Sequence, residues 1–180
     1  MSYKLPTKFG TFGLDVDGTY NISDRQNSAP GTPITEFIGT YEEPRMKFQT
    51  QFTYDYKGFE FVTNVYYTGD YGDETTYVRN VGAWTTVDLQ ASYEFMKDEA
   101  EDGQGDGDGK SVATGKTAKD SVIPDNASGW KKWVKGLKLT VGVNNVADEN
   151  PPYADATEGY DTVEGDPTGR FYYIELEKKF

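Results

Sequence analysis

Six stretches of this chain alternate apolar and polar residues with a period of two, and each runs for about ten residues or more. That period belongs to a β-strand with one greasy face and one wet face. The most constraining stretch is the last, RFYYIELEKKF. Tyr172, Ile174, Leu176, Lys178 and Phe180 fall on one side of it, and Tyr173, Glu175, Glu177 and Lys179 on the other. The alternation does not fade into a polar tail but runs onto an aromatic.

The other five stretches repeat the pattern. Over 10–22, Phe12, Leu14, Val16, Tyr20 and Ile22 oppose Thr11, Asp15, Asp17, Thr19 and Asn21. Over 45–56, Met46, Phe48, Phe52, Tyr54 and Tyr56 oppose Lys47, Gln49, Gln51 and Asp55. Tyr56-Lys57-Gly58-Phe59 reads as a tight hairpin turn, with Gly58 supplying the positive φ. The third stretch runs to about Thr68, the fourth covers 84–95 and the fifth runs from Gly136 to about Val146. Segments 23–44, 69–83 and 150–169 are long connections rich in polar residues, Gly and Pro. Residues 97–129 are of low complexity, first acidic and Gly-rich, then Lys/Thr/Ser-rich, and read as a flexible insertion.

Soluble strands run to ~5–6 residues, whereas a strand that crosses a bilayer needs ~9–11. Long and short connections alternate, the insertion excepted, as in outer-membrane barrels. Aromatics make up 15% of the chain and gather at strand ends: Tyr20, Tyr56, Phe59, Trp84, Phe95, Trp133 and Phe180 among them. An interfacial aromatic belt has this look in sequence. The expected fold is therefore all-β, an antiparallel transmembrane β-barrel segment of about six long strands, forming an open curved sheet when isolated. A soluble antiparallel sheet with one wet face alternates in the same way. A secreted soluble β-sheet domain that binds carbohydrate through its aromatics remains the alternative.

Charge and composition remove several function classes. The net charge of −12 argues against nucleic acid and against an anionic membrane surface, both of which reward clusters of Lys and Arg. The absence of Cys and His removes disulfides, thiolate or imidazole metal sites and His-based catalysis. No enzyme activity and no cofactor are expected. No apolar run approaches the ~20 residues of a membrane-spanning helix, and MSYKLPTKFG carries no signal-peptide core.

Three segments together resemble the closing part of TonB-dependent outer-membrane receptors. They are GAWTTVDLQASYEF (82–95), GLKLTVGVNNVADENPPY (136–153) and GRFYYIELEKKF (169–180). The matching positions are Val87-Asp88-Leu89, then Asn145-Val146-Ala147-Asp148 with Pro151-Pro152, then Gly169-Arg170-Phe171 through Phe180. Two features depart from the family's pattern. Lys178 stands where an aromatic or apolar residue is usual, and the 97–129 insertion replaces a short periplasmic turn. The resemblance implies that 1–180 is the C-terminal portion of a ~22-stranded barrel whose lumen holds a plug. It implies an outer-membrane location in a Gram-negative bacterium. It also implies active uptake of a large scarce solute: siderophore-iron, cobalamin or an oligosaccharide. The partners would be outer-membrane lipid, the barrel-assembly machinery through the C-terminal strand, and TonB only through the absent plug. Without the remaining strands, the isolated chain is expected to form no working pore, because unpaired backbone groups in lipid cost several kcal/mol each.

Candidate site residues follow from these readings. Tyr41, Tyr71, Tyr77, Arg79, Tyr153 and Tyr160 lie in the long connections and are candidates for substrate contact. Tyr172, Ile174, Leu176 and Phe180 form the C-terminal barrel signature. Asp98, Glu99, Glu101, Asp102, Asp106 and Asp108 lack EF-hand spacing and read as a solvated acidic linker rather than a Ca²⁺ site. Asp15, Asp17, Asp88, Glu94, Glu175 and Glu177 suit a polar lumen better than an acid/base pair.

Overall fold

A computed structural model describes residues 1–27, 29–73, 79–96 and 129–179. Phe180, Tyr77 and the insertion with its acidic run fall outside the described residues. In chain order the strands are β1 (Ser2–Thr7), β2 (Gly10–Tyr20), β3 (Arg25–Gln26), β4 (Thr35–Glu36), β5 (Met46–Tyr56) and β6 (Phe59–Thr68). They continue as β7 (Tyr71–Gly72), β8 (Asn80–Val81), β9 (Trp84–Glu94), β10 (Leu137–Asn144) and β11 (Phe171–Lys178). A short helix, α1 (Gly129–Val134), precedes β10.

Seven strands form one open antiparallel sheet in the order β1-β2-β5-β6-β9-β10-β11. The two edges are β1 and β11, and among the described residues neither pairs with a further strand. The all-β, antiparallel, open-sheet expectation holds, and the six expected strands are present, though β10 and β11 hold eight residues each rather than about ten. The expected count of about six does not hold, since the described residues contain eleven strands. Two sources account for the excess. β3–β4 and β7–β8 are two-residue ladders inside the long connections, too short to leave a periodic signal. β1 is a seventh sheet strand: Tyr3 and Leu5 alternate with Lys4, but the run is only six residues long and contains Pro6. Proline removes a ladder donor and is tolerated at an edge, which is where β1 lies.

Register turns six separate alternations into two continuous faces. Leu5, Phe12, Tyr54, Phe61, Ala91, Val141 and Ile174 form an unbroken cross-strand row through all seven strands. The next row on that face is Tyr3, Leu14, Phe52, Thr63, Leu89, Val143 and Tyr172. Ring pairs run across the strands, with Phe48 stacked on Tyr67 at 4.7 Å and Phe12 tilted against Tyr54 at 5.0 Å. The other face is polar, as in the row Asp15, Gln51, Asn64 and Asp88. There the side chains bond to one another. Gln51 Nε2 donates to Asn64 Oδ1 at 2.9 Å, and Glu60 Oε2 accepts from both Lys138 Nζ at 3.0 Å and Ser92 Oγ at 3.2 Å.

Among the described residues, nothing covers the apolar face. Ile174 is 77% exposed, Tyr172 68% and Leu176 65%. A large apolar side chain contributes ~1.5–3 kcal/mol only when it leaves water, so this face gains little from the chain itself. The buried hydrophobic residues lie instead in the connections: Ile38, Tyr71, Val81 and Ala154.

The antiparallel order sends the long connections 21–45, 69–83 and 145–170 to one end of the sheet, hereafter the loop end. The Lys8-Phe9 and Lys57-Gly58 turns lie at the turn end, as do 95–96 after β9 and 129–136 before β10. The β5–β6 turn has two residues, and both are left-handed, Lys57 with φ 47° and Gly58 with φ 82°. That is the primed turn favoured by twisted hairpins. Its geometry requires positive φ at Lys57 as well as at the expected Gly58.

Candidate functional site at the loop end

The three long connections pack on one another through specific polar contacts. Gly72 donates its backbone N–H to the Gly39 carbonyl at 2.8 Å, joining the first connection to the second. The Tyr71 hydroxyl donates to Asp161 Oδ2 at 2.7 Å, joining the second to the third. Asp161 Oδ1 also accepts the backbone N–H of Val163 at 2.8 Å and of Glu164 at 3.2 Å. Asp161 is 2% exposed, and a buried carboxylate of this kind is tolerated only when donors surround it. Burial and the bond to Asp161 push the Tyr71 phenol well above its usual pKa. Lys47 on β5 reaches Glu164 at 2.6 Å and ties the cluster to the sheet.

A second contact group surrounds Asp73. Its Oδ1 accepts the Asp155 backbone N–H at 2.8 Å, and its Oδ2 lies 3.9 Å from Arg79 Nε. The Arg79 guanidinium stands 4.2 Å over the Tyr153 ring, a cation–π arrangement. Tyr153 pairs with Tyr160 through an isolated backbone bridge.

The candidate contact residues thus divide. Arg79 and Tyr153 stand together at the surface, and Tyr153 is 52% exposed. Tyr71 is 3% exposed, and Tyr41 packs partly buried against the cluster it forms with Val81 and Ala154. Tyr71 and Tyr41 therefore build the platform on which Arg79 and Tyr153 are displayed. Sequence reading missed the organisers Asp73 and Asp161. No local pattern marks them, because their partners lie 82 and 90 residues away.

The three resembling segments also meet at this end. Asp88 Oδ1 accepts the Asn145 backbone N–H at 2.8 Å. The Val87 carbonyl accepts that of Val146 at 2.8 Å. Asn145 is left-handed, φ 50°. Its side chain bonds Glu149 twice, accepting from the N–H at 2.9 Å and donating to the carbonyl at 2.7 Å. Asp148 then accepts the Arg170 N–H. The residues that carry the resemblance form one chain of contacts from β9 through the end of β10 to the start of β11.

Beside these contacts, on the polar face, lies a cleft of ≈ 200 Å³ lined by Tyr66, Trp84, Asp88, Asn145, Asp166 and Phe171 among others. Thr168 donates to Asp166 through its hydroxyl at 2.5 Å and its backbone at 2.9 Å, which holds the Asp166 carboxyl below its usual pKa. The cleft offers aromatic surface and oxygen acceptors, a lining suited to a polar, hydroxyl-bearing solute.

In the C-terminal signature, Tyr172, Ile174 and Leu176 lie on the apolar face at the sheet's edge. Lys178, the departure from the family pattern, has a structural role. Its Nζ donates to the carbonyl of Trp133 and, at 2.8 Å, to that of Lys135, at the C-terminal end of α1. Compared with known protein families, curated proteins and solved structures, the chain matches none.

Proposed function

We propose that this chain is the C-terminal part of the β-barrel of a TonB-dependent outer-membrane receptor, a transporter for active uptake of a large scarce solute. One observation carries the reading: a continuous apolar face crosses seven strands, left open on one side of a sheet whose other side is polar. In water such a face is a liability. In a bilayer it is the outer wall of a barrel, and the polar face lines the lumen. The four longest sheet strands hold ten or eleven residues, the length a tilted strand needs to cross. The open β1 and β11 edges would be closed by further strands of the same barrel. The loop-end platform with Arg79 and Tyr153 would then contribute to solute contact.

The absence of cysteine allows a direct test with single-cysteine variants carrying an environment-sensitive dye. Ile174→Cys and Leu14→Cys probe the apolar face, and Glu175→Cys and Asp15→Cys the polar face. With the chain refolded into lipid vesicles, the first pair should report a lipid environment and the second pair water. If all four report water and the chain stays with the aqueous fraction, the membrane reading is wrong. The secreted carbohydrate-binding domain then takes its place.

A further inference from the structure

We infer that the cleft on the polar face between β6 and β11 is a subsite for a neutral oligosaccharide, and that a glycan, not an anionic iron chelate or a cobalamin, is the solute this chain handles. The inference rests on the transporter reading and narrows its solutes to one class. It starts from where the polar face is not polar. Among the described residues, the sheet strands place four aromatic side chains on that face: Tyr66, Trp84, Phe171 and Tyr173. Tyr173 has a partner there, because its hydroxyl bonds Gln90. The other three all line the cleft of ≈ 200 Å³. Phe171 is 51% exposed and Tyr66 37%. Register sets Tyr66 beside Thr86 and Phe171 beside Asn144, so each ring has a hydrogen-bonding neighbour. β9 and β10 lie between β6 and β11, which separates the two rings by about 14 Å along the sheet at ~4.8 Å per strand. That span is longer than one sugar ring and suits a short run of them.

The lining answers the chemistry of a hydroxyl. A pyranose ring has C–H faces that lie on aromatic surface and a rim of hydroxyls that both donate and accept. Thr86 and Asn144 in the lining also do both, and Asp88 and Asp166 accept only. Each carboxylate has one oxygen engaged among the described residues, Asp88 Oδ1 with the Asn145 amide and Asp166 Oδ1 with Thr168. The other oxygen of each is left for a donor. No Lys or Arg lines the cleft. Lys47, in the cross-strand row of Trp84, is paired with Glu164, and Arg170 interacts with Tyr172 on the apolar side. An anionic chelate supplies only acceptors and is matched by Arg and Lys. Here it would meet two carboxylates without a cation, and like charges facing each other oppose binding. A cationic solute supplies only donors and leaves the Asn144 amide and the Thr86 hydroxyl proton unanswered. Pockets for drug-sized ligands run to ~300–1,000 Å³, so this cleft is small for a corrin.

The test uses Trp84 as its own reporter. The chain has three tryptophans, and the other two, Trp130 and Trp133, belong to α1. Trp130→Phe with Trp133→Phe therefore leaves Trp84 alone. This full-length chain is refolded into phosphocholine micelles, whose headgroups carry no sugar. Its emission is followed as maltohexaose, cellohexaose or choline is added. Ferric citrate and cyanocobalamin absorb ultraviolet light, so their binding is read by equilibrium dialysis. A saturable shift is expected with at least one of the two oligosaccharides, and no binding of the other three probes. Phe171→Leu keeps apolar bulk in β11 but removes the flat ring, and should weaken oligosaccharide binding at least about tenfold. Phe171→Tyr keeps the ring and should keep the binding. Equal affinity in all three chains, or equal loss in both variants, overturns the inference. So does tighter binding of ferric citrate, cyanocobalamin or choline than of either oligosaccharide. If neither oligosaccharide binds while the chain still enters lipid vesicles, this inference falls and the transporter reading stands with another solute. If an oligosaccharide binds but the chain stays in the aqueous fraction, the cleft keeps its ligand and the membrane reading falls.

Discussion

The Asp148 carboxylate accepts the backbone N–H of Arg170 at 2.9 Å, across 22 residues of chain. Asp148 is left-handed, φ 59°, a conformation Asp tolerates better than most residues. Its neighbour across the contact is Gly169, φ 68°, where an added Cβ would stand 3.1 Å from Asp148 Oδ1. The contact fixes where β11 begins and hence its register on β10. Asp148→Ala should therefore speed amide exchange at Arg170 by about tenfold, equivalent to ~1.4 kcal/mol and near the lower bound for a bond to a charged group. Amides in β5 and β6 should be unaffected. Asp148→Asn keeps an acceptor and should restore most of the protection. Unchanged exchange at Arg170 in the alanine variant would show that β10 alone holds the register.

Gly142 has a different reason to be glycine. Tyr173 lies across it, and a Cβ there would stand 2.2 Å from the ring. The ring's position lets the Tyr173 hydroxyl donate to Gln90 Oε1 at 2.9 Å, two strands away on β9. Gly142→Ala should push Tyr173 off Gln90 and destabilise the chain by about 1–3 kcal/mol. Tyr173→Phe loses the bond without the clash and should cost less, about 1 kcal/mol. The check is the unfolding free energy of each variant in detergent micelles. An alanine variant as stable as the wild type would mean that the ring has another low-energy seat.

What the sequence disclosed, and what it hid, follows from the range of each interaction. The long strands were legible because alternation is local: over ten residues it separates Phe48 and Phe52 from Gln49 and Gln51 without reference to any partner. β1 was not, because its six residues are too few to show a period and include Pro6, tolerated at an edge where pairing on one side is enough. α1 was not, because GWKKWV is too short to show a helical period. Tyr71 looked like a surface residue because it sits in a polar connection, while its burial depends on Asp161 in a separate segment. Asn145, Asp148 and Arg170 were visible as motif positions, but their physical task emerged only when register brought them together. Lys178 looked like a flaw in the apolar face until α1 supplied the carbonyls it binds.

Tyr71→Phe tests that long-range contact. The substitution keeps the ring and removes the donor to Asp161 Oδ2, leaving a buried carboxylate with fewer partners. The expected cost is about 1–3 kcal/mol, with faster exchange at the Val163 and Glu164 amides that share Asp161. The wild-type contribution should also depend on pH at the alkaline extreme. Because the folded-state phenol is raised above its ordinary value of 10.0, the contribution is complete below that value and is lost only as pH rises above it. Loss of the contact between pH 7 and 9 would contradict the assignment.

Glu36 gives the opposite sign at the acidic extreme. Its carboxylate accepts the Ser23 hydroxyl at 2.5 Å, the Asp24 N–H at 2.7 Å and the Ile38 N–H at 3.2 Å, and it pairs with Arg25 at 3.1 Å. The Ser23 hydroxyl contributes most, followed by the Asp24 amide, and together these donors hold Glu36 at about 2 against an ordinary 4.5. These contacts anchor β4 to the segment around β3. A carboxyl with a lowered folded-state value stabilises the fold fully above its unfolded value. That contribution should therefore be complete above pH 4.5 and disappear as pH falls through about 2. The Asp24 amide proton shift, followed by NMR between pH 6 and 1.5, should titrate with a midpoint near 2, and Glu36→Gln should abolish the transition. A wild-type midpoint at the ordinary glutamate value would mean that these donors are not held on the carboxylate in solution, and that the first long connection is not anchored through Glu36.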